Sequence, residues 1–264
     1  MKDLSQLKCF MFDLDGTVNL GDNLIDSLQG FFPALKSAGK TYYMVTNNSS
    51  KDAAFYAQKM LRLGIDCPQE QIITPAEALL AYLEKKAPHA RLYVVGTAEL
   101  RQNCLNKGFS ISNDLEESSD YVIVGYDKTL TYNTLSTACR LIMRGVPFLA
   151  THADTRCPIS GGEFIPDAGA ILAFIKAVTG QDPTHIFGKP HSYMLDIIQE
   201  RSGFAKEEMA MVGDRLSTDI LFGVQNKVTS ILVLTGEATY EDVKTGTIKP
   251  DFVFDDASEI LLHL

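Results

Sequence analysis

The stretch CFMFDLDGT, residues 9–17, combines a strand signal with a polar cluster that recurs in related form along the chain. Four apolar residues are followed at once by Asp13 and Asp15, two carboxylates that are separated by a single leucine. A continuous apolar run of this length is typical of a strand buried on both faces of a parallel sheet. Carboxylates at the end of such a strand are unfavourable unless a cation compensates them, and a divalent cation suits them. The alternative is an ordinary strand-ending turn, because Asp and Gly both favour turns.

A second polar cluster follows the apolar run TYYMV, residues 41–45. It consists of Thr46, Asn47 and Asn48 with two serines behind them. Hydroxyl and amide groups at the start of a helix form a patch that can bind an oxyanion. The alternative is that these residues only cap the helix that follows.

A third cluster is the segment HIFGKPH, residues 185–191, in which Lys189 stands between Gly188 and Pro190. Both neighbours restrict the backbone, so this lysine differs from a freely moving surface lysine. A lysine at such a position could neutralise the charge of a phosphate. A solvated loop lysine is the alternative interpretation.

The fourth cluster is MAMVGDRLSTDI, residues 209–220. Asp214 follows the apolar run directly, and Asp219 comes five residues later at the predicted start of a helix. Both acids could complete a metal site with Asp13. They could also be a turn residue and an acid that favours a helix N-terminus.

The four clusters share one position in the pattern, because each follows a short apolar run. Helix signals lie between such runs: Thr74 to Glu77 has the capping-box spacing with Pro75 at the first helical position, and residues 192–203 form a second candidate. This alternation predicts an α/β fold with a doubly wound parallel sheet. Ligands bind at the carboxyl ends of the strands in such sheets, so the clusters would converge if their strands are neighbours.

Composition limits the class of protein and of partner. The chain has 264 residues, 45% of them apolar, and a formal net charge of -9, which predicts a large buried core and argues against nucleic acid as a partner. The five cysteines are scattered and odd in number, so we expect reduced thiols. No signal peptide is visible and no run approaches the ~20 apolar residues of a membrane span, so we expect a cytoplasmic protein with no membrane partner.

In order and content, the four clusters resemble the four motifs of the haloacid dehalogenase (HAD) superfamily. DLDGT matches its DxDGT motif, Thr46 its second-motif hydroxyl residue, Lys189 its third-motif lysine and GDRLSTD its GDxxxxD motif. The long insertion before Lys189 is similar to the α/β (type C2) cap of the NagD-like and nitrophenylphosphatase branch. The resemblance implies a Rossmann-like core at residues 1–78 and 181–264, interrupted by a smaller α/β cap domain at residues 79–180.

The resemblance also implies the roles of a magnesium-dependent phosphatase. Asp13 would attack phosphorus and form an aspartyl-phosphate, Asp15 would act as general acid and base, and Gly16 would let the backbone turn so that both acids face one point. The implied protein ligands of Mg²⁺ are Asp13, the backbone carbonyl of Asp15, and Asp214.

Further side chains would support these groups, again by resemblance. Asp219 would orient waters or Lys189 from behind the metal, and Lys189 would hold Asp13 and the phosphoryl group. The other phosphate oxygens would be bound by Thr46, Asn47 and Asn48. Such positioning and charge compensation supply most of the rate in phosphoryl transfer.

Substrate choice would lie in the cap, and the loop THADTRCPISGG, residues 151–162, is the predicted reader. Arg156 could face an anionic or polar leaving group, or could be a surface arginine. Cys157 stands where one branch of related phosphatases has a histidine that touches substrate, which weakens any expectation of pyridoxal phosphate as substrate.

The predicted function is hydrolysis of small phosphate monoesters such as sugar phosphates or nucleoside monophosphates, with p-nitrophenyl phosphate as an artificial substrate. A second acid at Asp15 favours phosphate chemistry over dehalogenation, because a halide leaves without a proton. The alternatives are a phosphotransferase and a non-catalytic protein that binds phosphorylated metabolites on the same fold. A homodimer is compatible with the resemblance.

Overall fold

The computed structural model of the chain describes residues 2–158 and 163–264. These residues contain fifteen strands and nine α-helices. The strands are β1 (Cys9–Phe12), β2 (Asn19–Leu20), β3 (Asn23–Leu24), β4 (Thr41–Val45), β5 (Ile72–Ile73), β6 (Arg91–Val95), β7 (Ser110–Ser112), β8 (Tyr121–Val124), β9 (Phe148–Ala150), β10 (Arg156–Pro158), β11 (Phe164–Pro166), β12 (His185–Ile186), β13 (Met209–Gly213), β14 (Thr229–Val233) and β15 (Phe252–Phe254). The helices are α1 (Phe31–Ser37), α2 (Ala53–Arg62), α3 (Pro75–Lys86), α4 (Ala98–Asn106), α5 (Tyr132–Met143), α6 (Ala168–Thr179), α7 (Tyr193–Ser202), α8 (Leu221–Asn226) and α9 (Tyr240–Thr245).

The chain divides into two compact units. The first contains the residues up to Thr46 together with Ala53–Ile73 and Lys189–Leu264, and the second contains Asn47–Asp52 and Thr74–Gly188. All of the predicted insertion, residues 79–180, lies in the second unit, which extends beyond it at both ends. The second unit includes residues before 79 because α3 belongs to it as a whole. Thr74 caps this helix by accepting a hydrogen bond from the Glu77 amide at 3.2 Å.

The first unit is built on a six-stranded parallel sheet with the order β15-β14-β13-β1-β4-β5. The sheet is buried on both faces, because Ile231 and Val233 of β14 belong to one apolar cluster while Leu232 between them belongs to another. Phe12 of β1 packs edge-on against Phe31 at a centroid distance of 5.7 Å. This two-sided burial explains why the strands are continuous apolar runs.

The second unit has its own parallel sheet of five strands, with the order β12-β9-β8-β6-β7. Val122 and Val124 of β8 pack in one cluster with Ile171 and Ile175 of α6. A separate antiparallel hairpin is formed by β10 and β11. None of the helices in residues 2–158 and 163–264 is long and apolar enough to cross a membrane.

The condition that the strands of all four clusters be neighbours is not met for the third cluster. The strand before Lys189, β12, pairs with β9 in the sheet of the second unit and does not join the sheet that carries the other three clusters. The short apolar run Ile186-Phe187 before Gly188 predicts a strand, but nothing in so short a segment selects one sheet over another.

Candidate active site

Asp13 and Asp214 lie side by side because the strands that carry them are neighbours. β1 and β13 pair in parallel with Phe12 opposite Val212, and the Asp13 amide donates a hydrogen bond to the Val212 carbonyl at 2.9 Å. The two strands therefore end at the same edge of the sheet. Asp219, from the turn before α8, joins them, so that carboxylate oxygens of all three acids lie within 4.8 Å of one another.

The turn after β1 requires glycine at position 16. Gly16 has a φ of 96°, a conformation that residues with a Cβ adopt with strain. A Cβ at Gly16 would lie 2.5 Å from Oδ2 of Asp214, and a Cβ at Gly236 would lie 2.0 Å from the same atom. The Asp214 carboxylate thus sits in a cradle lined by two backbone segments, in which the Glu237 amide donates to Oδ2 at 2.8 Å.

Lys189 is only 3% exposed, and its Nζ lies among three oxygen atoms. These are Asp13 Oδ1 at 2.6 Å, Asp219 Oδ1 at 2.7 Å and the Val45 carbonyl oxygen at 2.9 Å. Burial lowers the pKa of the ammonium, but the charges of Asp13 and Asp219 outweigh burial and raise that pKa above its ordinary value. The side chain therefore remains a cation at neutral pH.

One lysine does not neutralise three acids. Burial, together with repulsion from Asp13 and Asp219, raises the pKa of Asp214 to about 7. Burial also raises the pKa of Asp219 to about 6, although Lys189 acts in the opposite direction. Clustered carboxylates that resist ionisation in this way fit a divalent cation, because hard oxygen ligands suit Mg²⁺ and its charge removes the repulsion.

Asp15 differs from the other acids because its side chain is 43% exposed. The Asn19 amide donates to Asp15 Oδ1 at 2.7 Å, and Lys59 Nζ lies 3.5 Å from the same oxygen. Sequence reasoning missed Lys59. The signal was present in α2, where Tyr56, Lys59 and Met60 share one buried face and the lysine is the polar member.

The predicted phosphate-binding residues fall in different units. Thr46 follows β4, the neighbour of β1, and is buried in the first unit. Asn47 and Asn48 belong to the second unit, where the Asn47 amide donates to Asp154 Oδ2 at 3.2 Å and Asn48 Oδ1 accepts from the Ser50 amide at 3.0 Å. The bond to Ser50 is a local turn contact, since α2 begins only at Ala53, and phosphate binding by these three residues stays a prediction.

The predicted substrate-reading loop forms part of the β10–β11 hairpin, and its residues 159–162 lie outside the described residues. Arg156 is exposed, with its guanidinium 4.7 Å from the centre of the Phe164 ring. His152 at the base of the loop is fully buried, with Nε2 2.9 Å from Asp167 Oδ1.

Comparison with known proteins agrees with this architecture. A family model described as haloacid dehalogenase-like hydrolase matches residues 10–110, and one described as HAD-hydrolase-like matches residues 186–260. The acid sugar phosphatase of Staphylococcus aureus is 34% identical over 261 residues, which cover 99% of each chain.

Two solved structures extend the comparison. The 4-nitrophenylphosphatase of Thermotoga maritima is 41% identical and covers 98% of each chain, with a TM-score of 0.93. The glycerol phosphate phosphatase of Mycobacterium tuberculosis, in complex with magnesium, is 29% identical over 99% of this chain and 78% of its own, with a TM-score of 0.87.

The fold and these matches define a hydrolase with an α/β architecture, and the chain belongs to the haloacid dehalogenase-like hydrolases. Within that family its place is in the nitrophenylphosphatase and NagD-like branch. The predicted family, the fold class and the enzyme class, a hydrolase of phosphate monoesters, are thereby confirmed.

Proposed function

We propose that this protein hydrolyses small phosphate monoesters with the help of Mg²⁺, through an aspartyl-phosphate formed on Asp13. The observation that carries the proposal is the environment of Asp13, whose Oδ1 is 2.6 Å from the buried Lys189 ammonium and within a cluster of three carboxylates. A protein that only binds phosphate has no need to gather negative charge around one acid. A nucleophile that works beside a metal ion has that need.

The residues that would hold Mg²⁺ are Asp13, Asp214 and the backbone carbonyl of Asp15. When bound, the ion would offset the repulsion between Asp13 and the phosphate. Asp219 would act on Lys189, since its Oδ1 contacts that lysine and its Oδ2 accepts a hydrogen bond from the Arg215 amide at 3.1 Å. The magnesium complex of the related glycerol phosphate phosphatase supports the choice of metal.

The first step breaks the ester bond. A carboxylate oxygen of Asp13 bonds to phosphorus while the bond between phosphorus and the ester oxygen breaks. Asp15 gives its proton to the departing oxygen, so an alcohol leaves and Asp15 becomes a carboxylate. Lys189 balances the charge on the Asp13 side throughout.

The second step releases phosphate. Asp15, now a carboxylate, removes a proton from a water molecule whose oxygen attacks phosphorus. The bond between Asp13 and phosphorus breaks, inorganic phosphate departs and Asp15 is again protonated. The exposure of Asp15 suits this role, because the same carboxyl group must reach both the leaving oxygen and water.

The substrate class we favour is sugar phosphates, with other small phosphate monoesters such as nucleoside monophosphates as the alternative. Support comes from the related acid sugar phosphatase. In this proposal residues 1–78 and 181–264 form the catalytic core and residues 79–180 the cap. Thr46, Asn47 and Asn48 bind phosphate oxygens, and Arg156 reads the leaving group. A cytoplasmic location and a homodimer remain predictions.

The test is phosphate release from p-nitrophenyl phosphate and a panel of phosphorylated metabolites, with and without Mg²⁺. We expect Mg²⁺-dependent release by the wild type and a loss of at least about 10⁴-fold in Asp13→Asn, because the nucleophile is removed. Asp22→Asn, an exposed acid in the same unit, is the matched control and should keep wild-type activity. Near-normal turnover by Asp13→Asn would rule out the nucleophile, and no release by the wild type on any substrate would rule out the phosphatase.

A further inference from the structure

We infer that Lys59 is a positioning residue for Asp15, an inference that rests on the proposed phosphatase function. Lys59 lies on α2 and is 9% exposed, and its Nζ approaches Asp15 Oδ1 to 3.5 Å. Lys59 lies on the buried face of α2 together with Tyr56 and Met60. The apolar part of its side chain packs on that face and carries the ammonium group to Asp15.

A second donor acts on the same oxygen. Asn19 is fully buried, and its Nδ2 donates both to Asp15 Oδ1 at 2.7 Å and to the Gly21 carbonyl at 2.8 Å. The Asn19 amide is therefore itself fixed by the backbone. Two donors thus hold Oδ1 of Asp15, and the described residues place no such donor on Oδ2.

This arrangement gives the two oxygens of the Asp15 carboxyl group different roles. Oδ1 is anchored, so the group cannot rotate freely about its terminal bond. Oδ2 is then the oxygen that carries the proton to the leaving group and receives it back from water. Fixing the orientation of a reacting group can change a rate greatly, because a small misplacement lowers the fraction of productive encounters.

Stability alone gives a weak reason for the pair. Burying an ammonium is unfavourable unless a partner compensates it, whereas a partly exposed ion pair contributes little to stability. Asp15 is such a partly exposed partner. A methionine in place of Lys59 would fill the same apolar face of α2, so the ammonium has its main effect on Asp15.

The inference predicts an effect that depends on the leaving group. Phenyl phosphate and p-nitrophenyl phosphate have similar rings, but phenolate is much the stronger base and needs the proton of Asp15 as it departs, whereas nitrophenolate leaves without it. Loss of the Lys59 charge near the phosphate would weaken binding of both substrates alike. The ratio of their kcat/KM values therefore isolates proton donation, and kcat/KM excludes the later attack of water.

The experiment compares wild type, Lys59→Met and Lys59→Arg on both substrates, with Arg62→Met as the control from the exposed face of the same helix. For Lys59→Met we expect kcat/KM to fall on the order of 10- to 100-fold with phenyl phosphate and less than about threefold with p-nitrophenyl phosphate. Lys59→Arg should recover most of the loss, and Arg62→Met should behave as wild type. Lys59→Gln gives the same comparison should Lys59→Met fail to fold.

An equal fall with both substrates, or no fall with either, would overturn the inference for Lys59 while leaving the phosphatase proposal intact. The phosphatase proposal fails separately, if wild type hydrolyses neither substrate or if Asp13→Asn retains activity. A shift in the substrate ratio that Lys59→Arg reverses supports the positioning role.

Discussion

Replacing Asp214 with asparagine is expected to stabilise the metal-free protein at alkaline pH while removing its response to Mg²⁺. The change preserves the shape of the side chain and removes one negative charge from the cluster with Asp13 and Asp219. Asparagine can also keep both local hydrogen bonds. Its oxygen can accept from the Glu237 amide and its nitrogen can donate to the Thr17 hydroxyl, which lies 3.3 Å from Asp214 Oδ1.

The magnitude follows from the electrostatics of the cluster. Two carboxylates whose oxygens are no more than 4.8 Å apart repel by at least about 3.5 kcal/mol at an effective dielectric constant of about 20. Independently, the rise in the pKa of Asp214 from an ordinary 3.8 to about 7 corresponds to about 4 kcal/mol at pH 8. Replacing a charged acceptor by a neutral one loses about 1–2 kcal/mol at the Glu237 amide. The net gain expected in EDTA at pH 8 is therefore about 2–3 kcal/mol.

The pH dependence has a definite sign. Because the pKa of Asp214 is raised on folding, the folded state binds more protons than the unfolded state between pH 4 and 7. The unfolding free energy of the metal-free wild type therefore falls as pH rises through this range. The advantage of Asp214→Asn should be small at pH 5 and largest at pH 8.

The assay is thermal unfolding in EDTA and in Mg²⁺ at both pH values. At 2–4 °C per kcal/mol, the variant in EDTA should melt about 5–10 °C above wild type at pH 8. Mg²⁺ at 100 times its Kd should stabilise wild type by about 2.7 kcal/mol and leave the variant unchanged. Asp22→Asn is again the control. A variant that melts below wild type in EDTA at pH 8, or that gains as much from Mg²⁺, would refute the reasoning.

Two further predictions concern the thiols and the second unit. Burial raises the pKa of Cys9, Cys67 and Cys104 to about 12, and Cys139 is also buried. Ellman's reagent should therefore modify only the half-buried Cys157 rapidly in the native protein, and all five thiols in guanidinium. Rapid modification of several thiols in the native protein would contradict the structure. Exchanging the loop at residues 151–162 for that of a relative should change the order of preference among phosphorylated metabolites while leaving the rate with p-nitrophenyl phosphate within a few-fold. Unchanged relative rates across the panel would exclude the loop as the substrate reader.

Much of the fold was accessible from local patterns in the sequence. The strand Cys9–Phe12 was predicted to the residue, because an apolar run that ends in Asp and Gly marks both its burial and its end. The helices at Pro75–Lys86 and Tyr193–Ser202 were likewise marked by Thr74 and by Gly203, which ends its helix with a φ of 72°. Each of these signals depends only on neighbouring residues.

The candidate site was accessible in part. The motifs named Asp13, Asp214 and Lys189, and the structure brings all three together. It also adds the contact of Lys59 with Asp15 and the close approach of Gly236 to Asp214. The helical spacing on α2 marks Lys59 as buried, but it does not indicate which residue Lys59 contacts. These contacts join residues that are 44 and 22 positions apart in the chain.

Local sequence patterns were enough to locate several strands and helices and to show which strand ends carry acids, because these features follow from hydrophobic burial and backbone hydrogen bonding within a few residues. The pairing of β12 in the second sheet and the contact of Lys59 with Asp15 became visible only in the folded chain. The physical reason is that strand pairing and side-chain reach depend on the packing of whole elements, to which many distant residues contribute at once.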